Sequence, residues 1–249
     1  MDTSRVEGLV IGEMDYGDTS KILHVFTRSM GKVSVMAKGV RKTGSKNLAM
    51  SRLFAHGYFD LSKGKTFYYL KEAALEESNS FATESMDLVG GAGLVCEILD
   101  KIMSEGLSEE EVFDLTLTFF KGLKEDKDKL DLRLISYLVK LASFLGFQPD
   151  FTSCIICRKA AADFYSPDFY SGGFVCSDCS EKRPSAVSRE SFLLLNHLLY
   201  LPSSSIKDLD VGDRSEPRKL LDLALNYIKI SFDIDKLNSE HWLRRINFL

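Results

Sequence analysis

The residues in this sequence whose types and spacing could do chemistry are four cysteines in two pairs. Two residues separate Cys154 from Cys157, two separate Cys176 from Cys179, and 18 residues lie between the pairs. This spacing predicts a tetrathiolate zinc site, because each two-residue gap lets two sulfurs reach one tetrahedral ion. Four thiolate ligands leave no open position for water, so the predicted zinc is structural. Two disulfides, a metal-free remnant and an iron–sulfur cluster remain alternatives.

The segments around the cysteines fit such a site. Residues 164–166 and 173–175 are predicted to form two strands of a small hairpin that brings the second pair back to the first. Four thiolates on Zn²⁺ carry a formal charge of −2, which nearby cations can offset: Arg158, Lys159, Lys182 and Arg183. The fifth cysteine, Cys96, stands alone in an apolar helical stretch, and an odd count favours metal binding in a reducing compartment over a disulfide framework.

A second set of residues predicts a polyanion-binding surface. No Asp or Glu occurs between Thr19 and Phe59, although the chain carries a net charge of −4. This window contains eight cations: Lys21, Arg28, Lys32, Lys38, Arg41, Lys42, Lys46 and Arg52. The rest of the chain then sums to −12 (−4 minus 8), so binding should be confined to one basic face. A solvated charged surface is the alternative interpretation.

We predict that the contacts to the polyanion centre on the loop that follows a strand in this window. The core of the site would consist of Lys38, Arg41, Lys42 and Lys46, with Arg28, Lys32 and Arg52 as outer contacts. Aromatic residues of the same region offer stacking surfaces or fill the barrel core, since alternate strand residues must point inward: Phe26, Phe54, Tyr58, Phe67, Tyr68 and Tyr69.

Composition places the chain among ordinary globular proteins. It has 249 residues, of which 45% are hydrophobic, enough for one large core or several small ones. No run of about 18 uncharged apolar residues predicts a membrane span, and the first residues lack the basic and apolar segments of a secretory signal. We therefore expect a cytoplasmic protein.

Catalytic motifs are missing from the sequence. There is no GxxxxGK[ST] phosphate loop, no HExxH, no GxSxG and no GxGxxG after a strand. The four histidines are scattered, and a closed zinc site leaves no room for a hydrolase or deaminase mechanism. We predict that the protein is not an enzyme.

The first 80 residues predict a small β-barrel. Short runs rich in β-branched and aromatic residues alternate with glycine-containing turns at 16–18, 29–31 and 62–65. The five predicted strands are residues 6–11, 22–27, 32–37, 58–62 and 66–70. A five-stranded oligonucleotide-binding (OB) barrel is the leading interpretation, because it closes with so few strands, and an SH3-like barrel is the alternative.

Helical periodicity begins near residue 81. A capping box opens a helix at Ser108, Gly146 and Pro149 end a third helix, and serines at 188 and 215 open two more. The fold class is thus α+β and multidomain. We predict an OB domain at 1–80, a discontinuous helical domain at 81–150 and 185–249, and an inserted zinc module at 151–184.

These features together resemble the RecO family of bacterial recombination mediators over nearly the whole chain. The most specific matching stretches are residues 16–18, 26–27, 31–32, 37–42 with Ser45, 146–149 leading into Cys154 and Cys157, and 172–176. Arg158 departs from the family pattern, which usually has glycine after the second cysteine. Asp18 replaces a common glutamate.

The resemblance implies a bacterial, nucleoid-associated protein that binds single- and double-stranded DNA and anneals complementary strands. With a RecR partner it would help load recombinase onto strands coated by single-strand binding protein. The acidic, phenylalanine-ended tail of that protein needs an apolar groove flanked by cations, for which Arg133 and Lys140 are candidates. The competing hypothesis is a zinc-stapled protein-interaction scaffold without direct DNA contact.

Overall fold

The computed structural model describes residues 3–180, 185–211 and 215–249. The chain divides into two compact units, one comprising Met1–Asp114 with Leu237–Trp242 and the other Leu115–Lys236 with Leu243–Leu249. The finer division into three domains that the sequence suggests stays a prediction.

The N-terminal unit contains a closed barrel, as predicted. Its strands are β1 (Thr3–Tyr16), β2 (Ser20–Thr27), β3 (Gly31–Ala37), β4 (His56–Lys63) and β5 (Tyr68–Glu77). They close in the order β1-β2-β3-β5-β4, and all neighbours are antiparallel except β3 and β5. This five-stranded closed arrangement fits the OB barrel predicted from the sequence.

Alternating side chains of these strands form the barrel core. Valines, leucines and one phenylalanine point inward from successive strands: Val6, Val10, Leu23, Val25, Val33, Val35, Phe59 and Leu61. Gly31 opens β3 with a φ of 66°, and a Cβ there would lie 2.2 Å from the carbonyl oxygen of Ser104. Both the backbone conformation and the close approach require glycine at this turn.

Two strands are longer than predicted. The apolar pattern of β1 ends at Ile11, yet the strand continues to Tyr16, and β5 runs from Tyr68 to Glu77 rather than ending at residue 70. Most residues of these extensions are exposed. They pair through the backbone, which requires no apolar side chains.

Two helices complete this unit. α1 spans Met86–Ile102, and its first turn is capped by Ser85, whose hydroxyl accepts a hydrogen bond from the Leu88 N–H. The sequence does not predict the short helix Asn238–Arg245, which we call α6 because it is the last of six in chain order. Its first N–H groups, those of Asn238 and Ser239, each donate to the Glu97 carboxylate at 2.8 Å.

The second unit combines helices with a small sheet. Its strands β6 (Phe164–Asp168), β7 (Gly173–Cys176) and β8 (Val187–Ser188) lie in the order β7-β6-β8. The predicted hairpin is β6 and β7, and the two-residue β8 adds a third strand. The helices are α2 (Glu110–Glu125), within which the two units divide, α3 (Leu130–Phe144), α4 (Arg189–Tyr200) and α5 (Ser215–Ser231).

Within the second unit, α3 packs against α4 and α5. Its inward side chains include Leu134, Leu138 and Leu141, all fully buried. Ser188 caps α4 by accepting from the Ser191 N–H, as predicted. Among the residues that the structure describes, no helix is long and apolar enough to cross a membrane.

Ion pairs tie the barrel to the helices of its own unit. Arg28 pairs with Glu7 and with Asp114, both at 2.7 Å, and its guanidinium lies 4.8 Å from the Phe113 ring centre. The hydrogen bonds that Arg28 donates to the carboxylates of Asp114 and Glu7 raise its pKa above the usual value. Burial alone would raise the pKa of Glu7, but hydrogen bonds from Arg28 and His56 lower it.

Asp100 on α1 is the centre of a second network. Its carboxylate lies 2.7 Å from His24 Nδ1 and 3.3 Å from Lys32 Nζ. Burial opposes ionisation of Asp100, yet the hydrogen bond with His24 and the charge of Lys32 lower its pKa. Both strands β2 and β3 are therefore held to α1 by one carboxylate.

These lowered pKa values predict acid sensitivity. The ordinary values are 4.5 for Glu7 and 3.8 for Asp100, and both lie lower in the folded state. Their stabilisation is fully present above about pH 4.5 and is lost as the pH falls through the lowered values. Glu7→Gln combined with Asp100→Asn should weaken this pH dependence in urea unfolding followed by circular dichroism.

The matched control removes two exposed carboxylates, with Glu76→Gln and Asp87→Asn, which have no ion pair in the described part of the chain. It should keep the wild-type pH dependence. If both double variants showed the same pH dependence as the wild-type protein, the networks would not contribute as we argue.

Candidate metal centre and nucleic-acid interface

The structure brings the four paired cysteines together. Their sulfurs all lie within 4.8 Å of one another, and the sulfurs of Cys157 and Cys176 are 3.5 Å apart. Tetrahedral zinc with Zn–S bonds of about 2.3 Å places its sulfurs roughly 3.8 Å apart. Cys154 and Cys176 are fully buried, whereas Cys157 is exposed and Cys179 half-buried. The cluster could hold one metal ion.

Local backbone structure positions the sulfurs. Cys176 ends β7, and the segment carrying Cys154 runs beside that strand, where the Ile155 N–H donates to the Phe174 carbonyl at 2.9 Å. Tight turns follow each first cysteine: the Arg158 N–H donates to the Cys154 carbonyl, and the Cys179 N–H to the Cys176 carbonyl. Each pair therefore presents two sulfurs from one turn.

The electrostatics of the cluster favour a bound cation. Burial opposes ionisation of Cys154, but N–H groups of Cys157, Cys176 and Ile156 lower the pKa of its thiol to about 6. The pKa of Cys179 is raised to about 12, first by its hydrogen bond with Cys157. One thiolate thus forms readily while a later one is opposed by its neighbours, and a metal cation would relieve that repulsion.

Two of the four cations predicted to offset the thiolate charge, Arg158 and Lys159, belong to the described residues. Lys159 Nζ lies 2.5 Å from the Asp178 carboxylate, which links the turns of the two cysteine pairs. Arg158 pairs with Asp150 at 3.3 Å. Lys182 and Arg183 lie outside the described residues.

The departure at Arg158 has a structural consequence. Its φ is 62°, the left-handed conformation that glycine adopts without a steric penalty. Its side chain is 71% exposed, so the ion pair with Asp150 contributes little to compensate. The turn therefore keeps a glycine conformation although it carries an arginine.

We predict that Arg158→Gly stabilises the protein relative to Arg158→Ala by about 1 kcal/mol. Both substitutions remove the guanidinium, but only glycine relieves the strain of the positive φ. Chemical unfolding of the metal-loaded protein measures the difference. Equal stability of the two variants would show that the turn is unstrained.

A cleft of about 720 Å³ opens on the barrel. It lies where the β1–β2 loop, the end of β3 and the β4–β5 loop meet. Its lining combines three lysines with three aromatic residues and small polar groups: Tyr16, Thr19, Ser20, Met36, Lys38, Gly39, Lys42, Lys65, Thr66, Phe67 and Tyr69. OB barrels bind oligonucleotides at the β2–β3 face and these two loops.

The loop after β3 is tied to the β1–β2 loop. The Arg41 N–H donates to the Thr19 carbonyl at 2.8 Å, and the Gly39 N–H donates to the Ser20 hydroxyl at 3.1 Å. Lys38 lies at the end of β3, with its ammonium 4.8 Å from the centre of the Tyr69 ring. These contacts hold Lys38 and Lys42 on one wall of the cleft.

Folding separates the eight cations of the acid-free window into two groups. Carboxylates from outside the window pair with four of them: Lys21 with Glu13, Arg28 with Glu7 and Asp114, Lys32 with Asp100, and Arg41 with Asp15 at 3.0 Å. Across the described ranges, no ion pair reaches the other four, which are exposed: Lys38, Lys42, Lys46 and Arg52.

The aromatic candidates also separate. Phe26, Phe54 and Tyr68 are buried, Tyr68 in the barrel core and Phe26 against the Phe113 ring of α2. Tyr58 lies under the Arg5 guanidinium at 5.2 Å. Only Phe67 and Tyr69 of the predicted set line the cleft.

Sequence reasoning missed one aromatic and one charged residue of the cleft, Tyr16 and Lys65. Lys65 lies beyond Asp60, where the acid-free window has ended, and both residues belong to segments interpreted only as turns. The glycine next to each, Gly17 and Gly64, was the available signal, because it marked a loop of an OB barrel.

The partner candidates lie on α3 in the second unit. Arg133 is buried, and its Nη1 donates to the Ser203 carbonyl at 3.1 Å. Lys140 is half-buried and donates to the Leu201 carbonyl at 2.5 Å. Burial lowers the pKa of both groups. Both side chains thus contact backbone of their own unit, and their role toward a partner stays a prediction.

The fold and site define a class of proteins in which an OB-type barrel is joined to helices and a four-thiol cluster. Two family models match the chain, Recombination protein O N terminal over residues 1–79 and Recombination protein O C terminal over residues 84–239. The second alone spans more than half of the sequence. The chain belongs to the RecO family.

Relatives that match over most of their length support this assignment. The chain is 29% identical to a protein named DNA repair protein RecO from Clostridium acetobutylicum, over 93% of this chain and 95% of that protein. It is 33% identical to a protein of the same name from Bacillus cereus, over 89% of both. A Bacillus pumilus relative of that name is 31% identical over 87% of this chain and 85% of its own length.

Proposed function

We propose that this protein is a non-catalytic, DNA-binding mediator of recombinational DNA repair that binds single- and double-stranded DNA through the barrel cleft. The observation that carries the proposal is the cleft itself, in which Lys38, Lys42 and Lys65 line one surface at the loops where OB barrels bind oligonucleotides. The relatives named DNA repair protein RecO support the biological setting.

Charge pairing ranks the proposed contacts. A lysine without a carboxylate partner can replace the counterions of a phosphate without first breaking an ion pair, so Lys38, Lys42 and Lys46 rank first. Arg41 shares its charge with Asp15. Arg28 and Lys32 are held by internal carboxylates and serve as outer contacts, while exposed Arg52 extends the basic surface.

Strand annealing and recombinase loading rest on membership of the family. Under this proposal the protein acts in the bacterial cytoplasm at the nucleoid, with a RecR partner and the tail of single-strand binding protein. Arg133 and Lys140 are retained as contacts for that tail, although a tail carboxylate would have to displace their present carbonyl acceptors. A scaffold that never touches DNA is the outcome the DNA-binding experiment must exclude.

We further propose that the four-cysteine cluster binds one structural zinc ion. Four sulfur ligands favour zinc over harder cations such as Mg²⁺ or Ca²⁺. Cys154, Cys157, Cys176 and Cys179 would hold it, and bound zinc would supply a cross-link between the two turns. No water-binding position remains in a tetrathiolate site, which agrees with a protein that is not an enzyme.

The DNA-binding proposal predicts a coupled loss of affinity and salt dependence. Replacing Lys38, Lys42 and Lys65 by alanine should weaken binding of an oligothymidylate and flatten the slope of log K against log salt by roughly 0.7 per lost contact. Duplex binding should weaken as well, because phosphate contacts carry no base information. Fluorescence anisotropy at several salt concentrations measures both quantities.

A charge-matched control removes three exposed lysines of the second unit, Lys121, Lys207 and Lys236. It loses the same net charge but should keep wild-type affinity and slope. Should the cleft variant remain folded and bind like the control, the cleft is not the DNA surface and the scaffold hypothesis gains ground.

The zinc proposal predicts one zinc ion per chain in protein purified without chelator, measured by elemental analysis. Cys176→Ser should abolish stoichiometric zinc and lower the melting temperature, because metal binding is coupled to folding of the module. Cys96→Ala is the matched control, since Cys96 is buried but lies outside the cluster. Metal-free wild-type protein with unchanged stability would contradict the proposal.

A further inference from the structure

We infer that Tyr16 and Phe67 are base-stacking residues that give the barrel cleft a preference for single-stranded over double-stranded nucleic acid. This inference rests on the proposed DNA-binding function and adds the residues that discriminate between the two forms. It arises from two aromatic rings, one at the end of β1 and one on the β4–β5 loop, that line one cleft with three lysines.

Tyr16 is placed for this role by the end of β1. It is the last residue of the strand and pairs with Ser20 across the β1–β2 turn. Its side chain is 55% exposed although it belongs to the lining of the cleft. An exposed ring on a paired strand is held by its backbone, so it is available to a ligand without being needed by the core.

Phe67 lies on the β4–β5 loop. Its carbonyl accepts a hydrogen bond from the Gly64 N–H at 3.0 Å, which closes the β4–β5 turn. A Cβ at Gly64 would lie 2.5 Å from the Tyr69 ring, so glycine lets the loop fold closely over that tyrosine. Phe67 is half-buried and belongs to the lining of the cleft.

Tyr69, the third aromatic residue of the cleft, contacts a lysine instead. The Lys38 ammonium covers one face of its ring at 4.8 Å. This cation–π contact positions the lysine and occupies that face of the ring. Tyr16 and Phe67 have no such cation in the described part of the barrel.

The combination selects single strands for a physical reason. A lysine binds phosphate in either form of DNA, whereas an aromatic ring can stack only on a base whose face is free. Bases inside a duplex already stack on their neighbours. A volume of about 720 Å³ falls within the range of clefts that hold small-molecule ligands, which leaves room for an unstacked nucleotide.

The test compares three ligands of equal length by fluorescence anisotropy: an oligothymidylate, an oligomer of abasic sites and a hairpin-capped duplex. Tyr16→Ala and Phe67→Ala should each weaken oligothymidylate binding by roughly 5- to 150-fold. Binding of the abasic strand and the duplex, and the salt slope for all three ligands, should stay near wild type. Tyr16→Phe should restore binding, because it keeps the ring.

Tyr170→Ala is the matched control, because Tyr170 is 90% exposed and lies in the other unit. Equal losses on all three ligands, or no loss on oligothymidylate, would overturn the inference. Since Tyr16 is exposed, its variant decides the matter even if Phe67→Ala misfolds. The lysine variant tests the proposed function separately: if it loses binding while the aromatic variants do not, only the stacking inference fails.

Discussion

Closure of the barrel depends on β1, which pairs along both of its edges. Residues Thr3–Leu9 pair with β4 and residues Gly8–Tyr16 pair with β2, with a register shift between Val10 and Gly12. A Cβ at Gly8 would lie 2.6 Å from a methyl group of Val25, so the strands approach closely where both pairings overlap. β1 has 14 residues and pairs with two neighbouring strands, so its second half extends past the barrel core. Tyr16, at the end of that half, therefore lies at the cleft.

The same closure decides which cations face solvent. Arg28, directly after β2, and Lys32, on β3, pair with carboxylates of α2 and α1 in their own unit. Lys38 instead follows the end of β3 into a loop. Identical residue types from one acid-free window thus acquire different roles. Some hold the barrel to its helices, and others keep a charge that a polyanion can use. A count of charges along the sequence cannot separate these roles, because the neutralising carboxylates come from distant segments.

Sequence reasoning succeeded where the signal was local. Alternating apolar residues, turn glycines and the capping serine at 188 predicted the five barrel strands, the β6–β7 hairpin and α4. It failed where tertiary contacts supply the stabilisation. The eight-residue α6 offers few apolar residues, and its first N–H groups are satisfied by Glu97, which lies about 140 positions earlier. The outer halves of β1 and β5 pair through backbone hydrogen bonds that apolar periodicity does not reveal.

The two candidate sites also differ in how far local sequence predicts them. The cysteine cluster is encoded by short spacings, so its ligands were predictable, and even the substitution at Arg158 leaves the turn geometry in place. The cleft is formed by three separate segments of the chain, and no spacing in the sequence predicts that Tyr16, Lys38 and Lys65 line it together. A substitution within one of the cysteine turns therefore affects the metal site directly. A change anywhere in the barrel that shifts the pairing of β1 also alters the cleft, because the three segments that line it are positioned by the strands and by contacts such as that between Arg41 and Thr19.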